Sequence, residues 1–283
     1  WNVRSSMIHS NKIVWLASYP KSGNTWIRAF LSSYLFSQNG EFEFSLLNKI
    51  EKFPKHRLFP DYITESEGLV AKRLGNLNYS KSQKDLNSWE EKQTDLFHIQ
   101  ERLANLNYIN NQKNLKGIYK THNIYNKEFT NKDLTSGFIY ISRNIKDIII
   151  SLANHYRFSL DVAIDMGIKN QKKHYDSWKE FTDVPSLYVT YEDLMQDCKK
   201  EFIKILKFLK VIVNNKKLDN SIKNTSFNKL QTLEKEKGFF EAADYKTDKQ
   251  RVFFKTGKIK QWENGFTSQQ QEKINHLLTE RVQ

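Results

Sequence analysis

Lys21 stands in the stretch SYPKSGNTW, where an apolar run gives way to a small polar loop and then to an amphipathic stretch. Pro20 and Gly23 break the apolar run, and a helix starting just beyond them presents unpaired backbone N–H groups beside the Lys21 ammonium. That combination is an anion site, suited to phosphate or sulfate. An ordinary strand-to-helix turn is the plain alternative, and the G-x-x-x-x-G-K-[ST] order of a Walker loop is absent because Lys21 precedes the glycine. His122, in YKTHN two residues past Lys120, is a second chemical group: a neutral imidazole near pH 7 accepts a hydroxyl proton, although a lone histidine is often an ordinary core or surface residue. Arg143 and Ser151, in SRNIKDIIIS, are a third pair, since a planar guanidinium holds phosphate through two parallel hydrogen bonds. Their plain reading is an arginine opening a helix and a serine facing solvent.

The elements that must carry these residues follow from hydrophobic pattern. Ile13 to Ala17 reads as a parallel strand buried on both faces, followed by a helix with Trp26, Ile27, Phe30 and Leu31 inward and Ser22, Asn24 or Thr25 as its cap. Further strands are expected at 117–120, 137–142 and 186–190. A helix opens at Ile145 with Asp147 capping or neutralising its start, another spans about 171–181, and one long helix follows Tyr191. Strands alternating with helices imply an α/β fold, a three-layer sandwich around a central parallel sheet. Residues 37–115 are polar and lack a strand pattern, apart from a helix at about 88–107 opened by a capping box, and read as an insertion on the acceptor side. The polar run at 234–254 reads as a mobile lid. In such sheets ligands bind beyond the carboxyl ends of the strands, and Lys21, Lys120 with His122, Arg143 and Tyr191 each fall at the end of one expected strand.

With 283 residues and no Pro/Gly/Ser-rich linker, the chain reads as one domain, 1–283. Lys and Arg total 45 against 32 Asp and Glu, a net charge of +13 that favours anionic partners: a nucleotide with several phosphates, a nucleic acid or a membrane surface. Cys198 is the only cysteine, which excludes a disulfide framework and a cysteine-based metal site and fits a reducing cytoplasm. No apolar run approaches the length of a membrane span, and no signal-peptide pattern is visible.

The loop SYPKSGNTW resembles the phosphosulfate-binding loop, close to TYPKSGTTW, of the cytosolic-type sulfotransferases that use 3′-phosphoadenosine 5′-phosphosulfate (PAPS). The resemblance continues through KTH at 120–122, SRNIKDIIIS at 142–151, TYED at 190–193, NTSF at 224–227 and FFKTGKIKQWENGFT at 253–267. It implies a P-loop-like nucleotide-binding fold and a donor site built from Lys21, Ser22, Gly23, Asn24, Thr25, Trp26, Arg143, Ser151, Tyr191, Ser226, Phe227, Lys255, Thr256 and Gly257. Within it, Trp26, Tyr191, Ser226 and Phe227 would surround the adenine, and Arg143 and Ser151 would hold the 3′-phosphate. His122 would be the general base, with Lys120 and Lys21 acting at the transferring group and the leaving group. Lys255-Thr256 replaces the family's Arg-Lys, and Glu263 and Ser268 depart from its dimer motif, so the resemblance implies a monomer or a dimer formed by another route.

The expected reaction is transfer of a sulfuryl group from PAPS to a hydroxyl or amine of a small molecule or saccharide, in the cytoplasm, with no metal and no nucleic-acid partner. Two alternatives stand beside it: a P-loop-type kinase for nucleotides or small molecules, and a basic nucleic-acid-binding module whose affinity would fall steeply with salt.

Overall fold

The structure is a computed structural model and describes residues 12–53, 117–127, 130, 132–242 and 252–279. The expected helix at about 88–107, most of the 37–115 stretch and residues 243–251 of the expected lid lie outside the described residues.

Five strands form one sheet: β1 (Ile13–Ser18), β2 (Glu51–Phe53), β3 (Gly117–Thr121), β4 (Thr135–Ser142) and β5 (Ser186–Thr190), in the order β2-β3-β1-β4-β5 with every pairing parallel. All six residues of β1 are buried, as its unbroken apolar run requires of a central strand covered on both faces. Neighbours leave β1 toward β3 on one side and β4 on the other, which makes its carboxyl end the crevice where such sheets bind ligands.

Helices cover both faces. On one, α1 (Asn24–Phe36), α5 (Cys198–Phe208) and α6 (Asn215–Asn224) bury Ile27, Phe30, Leu31, Phe202, Ile205 and Leu218 against Val14, Leu16, Ile139 and Ile141. On the other, α3 (Leu160–Lys179) sets Trp178 among Trp15, Phe138, Tyr140 and Phe181. There α2 (Ile145–Tyr156) and α8 (Ser268–Thr279) complete the layer around Ile148, Ile164, Phe266 and Ile274. The expected three-layer sandwich is therefore present. Among the described residues no helix is long and apolar enough to cross a membrane.

Four local expectations need correction. Neither Ser22, Asn24 nor Thr25 caps α1; the cap is Gly23 at φ 97°, and Asn24 instead donates back to the Leu16 carbonyl at 3.1 Å and to Ser18 Oγ at 3.1 Å. The helix start is thus tied to the strand end and its first N–H groups are left without a side-chain cap. The long helix after Tyr191 is two, α4 (Tyr191–Gln196) and α5, because Asp197 leaves helical geometry and caps the second by accepting from the Lys200 amide. Asp147 does not cap α2; Asn144 does, and Asp147, 1% exposed, accepts instead from the amides of Lys260 and Gln261. Finally, within the stretch read as an insertion, Phe44–Lys49 form a 3₁₀ turn and Glu51–Phe53 form β2, which joins the sheet. A three-residue strand is too short to show a period.

Candidate active site

A cavity of about 280 Å³ opens at the carboxyl ends of the strands. From the β1 end come Lys21, Gly23, Asn24, Thr25 and Trp26; from the β3 end, Lys120 and His122; from β4 and α2, Arg143 and Ser151; from the β5 end, Tyr191; from the C-terminal third, Phe227, Lys255, Thr256 and Gly257. Ser22 and Ser226 are not among its walls. Ser22 is turned inward at 1% exposure, and the Ser226 hydroxyl donates to the Lys223 carbonyl ahead of α7 (Phe227–Lys237).

The loop geometry is set by close approaches. Gly23 has a backbone that side-chain-bearing residues rarely adopt, and a Cβ there would meet the Tyr191 ring at 2.5 Å. Gly257, at φ 59°, packs equally closely on Phe227, where a Cβ would stand 2.3 Å from the ring. Trp26 and Tyr191 meet edge to face at 5.9 Å, and the Arg143 guanidinium lies 4.3 Å from the Tyr191 ring centre. Arg143 is also fixed by the carbonyls of Lys21 (3.2 Å) and Lys258 (2.9 Å), which leaves its Nε buried and without a partner. Trp26 Nε1 and Ser22 Oγ are buried and unpartnered as well. Unmet donors beside an uncapped helix start fit an anionic ligand with polar edges. Lys21 Nζ stands 4.3 Å from the Phe253 ring, and Lys255 donates to Asn154 at 3.0 Å.

His122 hangs from the end of β1. Its Nδ1 lies 2.7 Å from the Ser18 carbonyl and 3.2 Å from Ser18 Oγ. A carbonyl oxygen only accepts, so Nδ1 carries the hydrogen and Nε2 keeps its lone pair. Burial, joined by the Lys120 charge, holds the imidazole pKa well below its ordinary value, so the ring is a neutral base at pH 7. Burial and then the neighbouring Lys52 cation bring the Lys120 ammonium down to about 7, with Glu241 pulling the other way. Behind His122, His174 is 2% exposed, accepts from or donates to the Tyr140 hydroxyl at 2.8 Å, and is pushed by burial to about 3.

The sequence reading missed Lys52, Glu241, Asn154 and His155, all in the cavity wall. Arg28, 2% exposed on α1, donates to both Glu241 oxygens at 2.8 and 2.9 Å, to the Ile50 carbonyl at 2.9 Å and to the Leu47 carbonyl at 2.8 Å. Arg28 as the only charged residue of α1 was the available signal; nothing in the sequence points from it to Glu241. The described ends of the expected lid are packed, with Phe239, Ala242 and Phe254 buried and the Glu234 carboxylate accepting from the amides of Phe253 and Phe254.

The pattern that describes the sulfotransferase domain matches residues 11–283. The flavonol 3-sulfotransferase of Flaveria bidentis is 26% identical over 295 residues, covering 95% of this chain and 81% of that protein. Sulfotransferase 1E1 of Homo sapiens is 25% identical over 295 residues, covering 97% and 84%. Among solved structures, mouse sulfotransferase SULT7A1 complexed with PAP superposes at a TM-score of 0.58 with 19% identity over 96% of this chain and 84% of that one. Retinol dehydratase in complex with androsterone and PAP superposes at 0.63, with 16% identity over 98% and 82%. These two share the fold.

Proposed function

The chain belongs to the sulfotransferase domain family, and from that premise we propose that it transfers a sulfuryl group from PAPS to a hydroxyl or amine of a small-molecule or saccharide acceptor, with His122 as general base. One observation carries the reading: the uncapped start of α1 with Lys21, the Arg143 guanidinium and the neutral His122 all face one cavity. Relatives named for flavonols, and fold neighbours solved with PAP, the bisphosphate that PAPS leaves behind, support PAPS as donor and a hydroxylated acceptor.

The donor supplies the sulfuryl group and a bisphosphate leaving group. Lys21 and the first amides of α1 would hold the charge that grows on the leaving oxygen, where preorganised donors act most strongly in the transition state. Arg143 and Ser151, with Lys255, would hold the 3′-phosphate, and Trp26, Tyr191 and Phe227 would bracket the base. His122 Nε2 would take the acceptor proton as the new O–S or N–S bond forms. Positioning and electrostatics then account for most of the acceleration, as in phosphoryl transfer. The free Cys198 fits a reducing cytoplasm.

The test is calorimetric titration with PAP, ATP with magnesium, and a DNA duplex, followed by transfer of label from PAPS to a panel of phenols, alcohols and saccharides. PAP binding tighter than ATP, with label transfer, is expected. Preference for magnesium ATP returns the kinase, and duplex binding that falls steeply with salt returns the nucleic-acid module.

A further inference from the structure

The short strand β2 does more than close the sheet. Its register against β3 pairs Glu51 with Tyr119, Lys52 with Lys120 and Phe53 with Thr121. Side chains alternate across a strand, so Phe53 packs on Trp15, ring centres 5.1 Å apart, on one face. Lys52 and Lys120, being partners in register, stand abreast on the other and line the same cavity. Two cations side by side repel, and among the described residues of the cavity wall one acid, Glu241, answers them. Glu241 lies 3.2 Å from Lys52 Nζ and is itself gripped through both oxygens by Arg28. Burial alone would raise the Glu241 carboxyl, yet Arg28, Lys52 and Lys120 together hold it below the ordinary range, so it is ionised. This one carboxylate is shared, among the described residues, by three basic side chains, Arg28, Lys52 and Lys120. Among the described residues Glu241 is the only carboxylate in the cavity wall, against Lys21, Lys52, Lys120, Arg143 and Lys255.

Lys21, Arg143 and Lys255 are assigned above to the donor and Lys120 to the transferring group; Lys52, on the β2–β3 side of the cavity with Lys120 and His122, has no role in that reading. We propose that Lys52 and Lys120 form a two-lysine subsite for a sulfate-like or carboxylate-like oxyanion at the acceptor end of the cavity, with the Arg28–Glu241 pair positioning Lys52. This rests on the sulfotransferase reading and adds Lys52 to its machinery. The oxyanion has two possible sources: the sulfuryl group in flight, or an acidic group carried by the acceptor. Both present negatively charged oxygens to paired cations.

The probe is inorganic sulfate, titrated calorimetrically into the protein already saturated with PAP, at constant ionic strength kept with chloride. Sulfate binding is expected in the wild type, weakened about tenfold or more in Lys52→Met and largely kept in Lys52→Arg, with PAP affinity unchanged in both. Lys52→Met keeps the aliphatic stem, and a melting curve checks that the variant folds; Glu241→Gln, which disturbs the orientation of Lys52 rather than removing it, should weaken sulfate binding less. Label transfer then separates the sources. A fall in kcat on neutral acceptors assigns the sulfuryl group, and a rise in KM confined to carboxylated acceptors assigns the acceptor's acid. Equal sulfate affinity in wild type and Lys52→Met, or sulfate that binds only by displacing PAP, overturns the proposal. Failure of PAP to bind the wild type would instead overturn the sulfotransferase reading.

Discussion

The two ends of the cavity are held together in different ways. At the proposed donor end the side chains are fixed by backbone: Arg143 by two carbonyls, Asn24 by the Leu16 carbonyl, and Asp147 by two amides that draw residues 260–261 onto α2. At the proposed acceptor end an ion-pair chain is added to the backbone contacts: Arg28, held by the Leu47 and Ile50 carbonyls, grips Glu241, 213 residues away in sequence, and Glu241 meets Lys52. The partners at the donor end are main-chain groups that the packed fold places whatever side chains stand there, so that end is built by the fold. An ion-pair network carries a desolvation cost that only good geometry offsets, so the acceptor end is sensitive to single substitutions.

His122 sits on the border, hung from β1 yet facing the acceptor, and its removal should have the largest effect. His122→Asn should lower kcat by about 10²–10⁴-fold, the usual range for a positioned acid or base, with PAP affinity unchanged. Stopped-flow transfer and calorimetry on the same sample check this. A parallel loss of PAP affinity would mean that the two ends are not separable.

The next effect is on stability and should be confined to the acceptor end. Glu241→Ala leaves the Arg28 guanidinium buried without its counter-charge, at a cost of about 3–5 kcal/mol, read by urea unfolding. The sign with pH follows: a carboxyl held below its ordinary range contributes fully above that range and loses the contribution as pH falls through the depressed value. The wild type should therefore lose stability on acidification, and Glu241→Ala should lose less. Equal acid sensitivity in both would show that the pair is not what holds residues 238–242.

The same contrast explains what could be read from the sequence. Lys21, Gly23, His122, Arg143 and Tyr191 were legible because parallel strands deliver their carboxyl-end residues to one edge, and an apolar run followed by a break marks each strand. The structure adds why glycine stands at 23: a left-handed backbone against the Tyr191 ring admits little else. Lys52 and Glu241 were not, since β2 has three residues and nothing local to Glu241 marks a partner 213 residues away. Asp147 was misread because an acid in a first helical turn is ordinarily a dipole partner, and only tertiary structure brings residues 260–261 to it. Ser226 follows the motif in type but spends its hydroxyl on the Lys223 carbonyl.

At the donor end, Arg143→Ala should weaken PAP binding by roughly ten- to a hundredfold while changing AMP binding much less, since only the former carries a 3′-phosphate. Equal losses for the two ligands, measured by calorimetry, would show that the arginine supports Tyr191 and the Lys21 carbonyl rather than the phosphate.

The smallest effect tests whether the acceptor end is tuned electrostatically. Lys120 is brought to about 7 mainly by burial, then by Lys52, while Glu241 acts to raise it. With His122 neutral throughout, kcat/KM for the donor should fall as pH rises through about 7, because the free enzyme loses the Lys120 cation. In the donor complex the ligand's negative charge favours the ammonium, so the same limb in kcat should lie at higher pH. Lys52→Met removes a like charge and should move the kcat/KM limb upward; Glu241→Gln removes the opposite charge and should move it downward. Each shift should be a fraction of a pH unit, roughly a two- to threefold difference in rate at pH 7.5. If neither substitution moves the limb, the group that titrates is not Lys120, and the two lysines do not share a field.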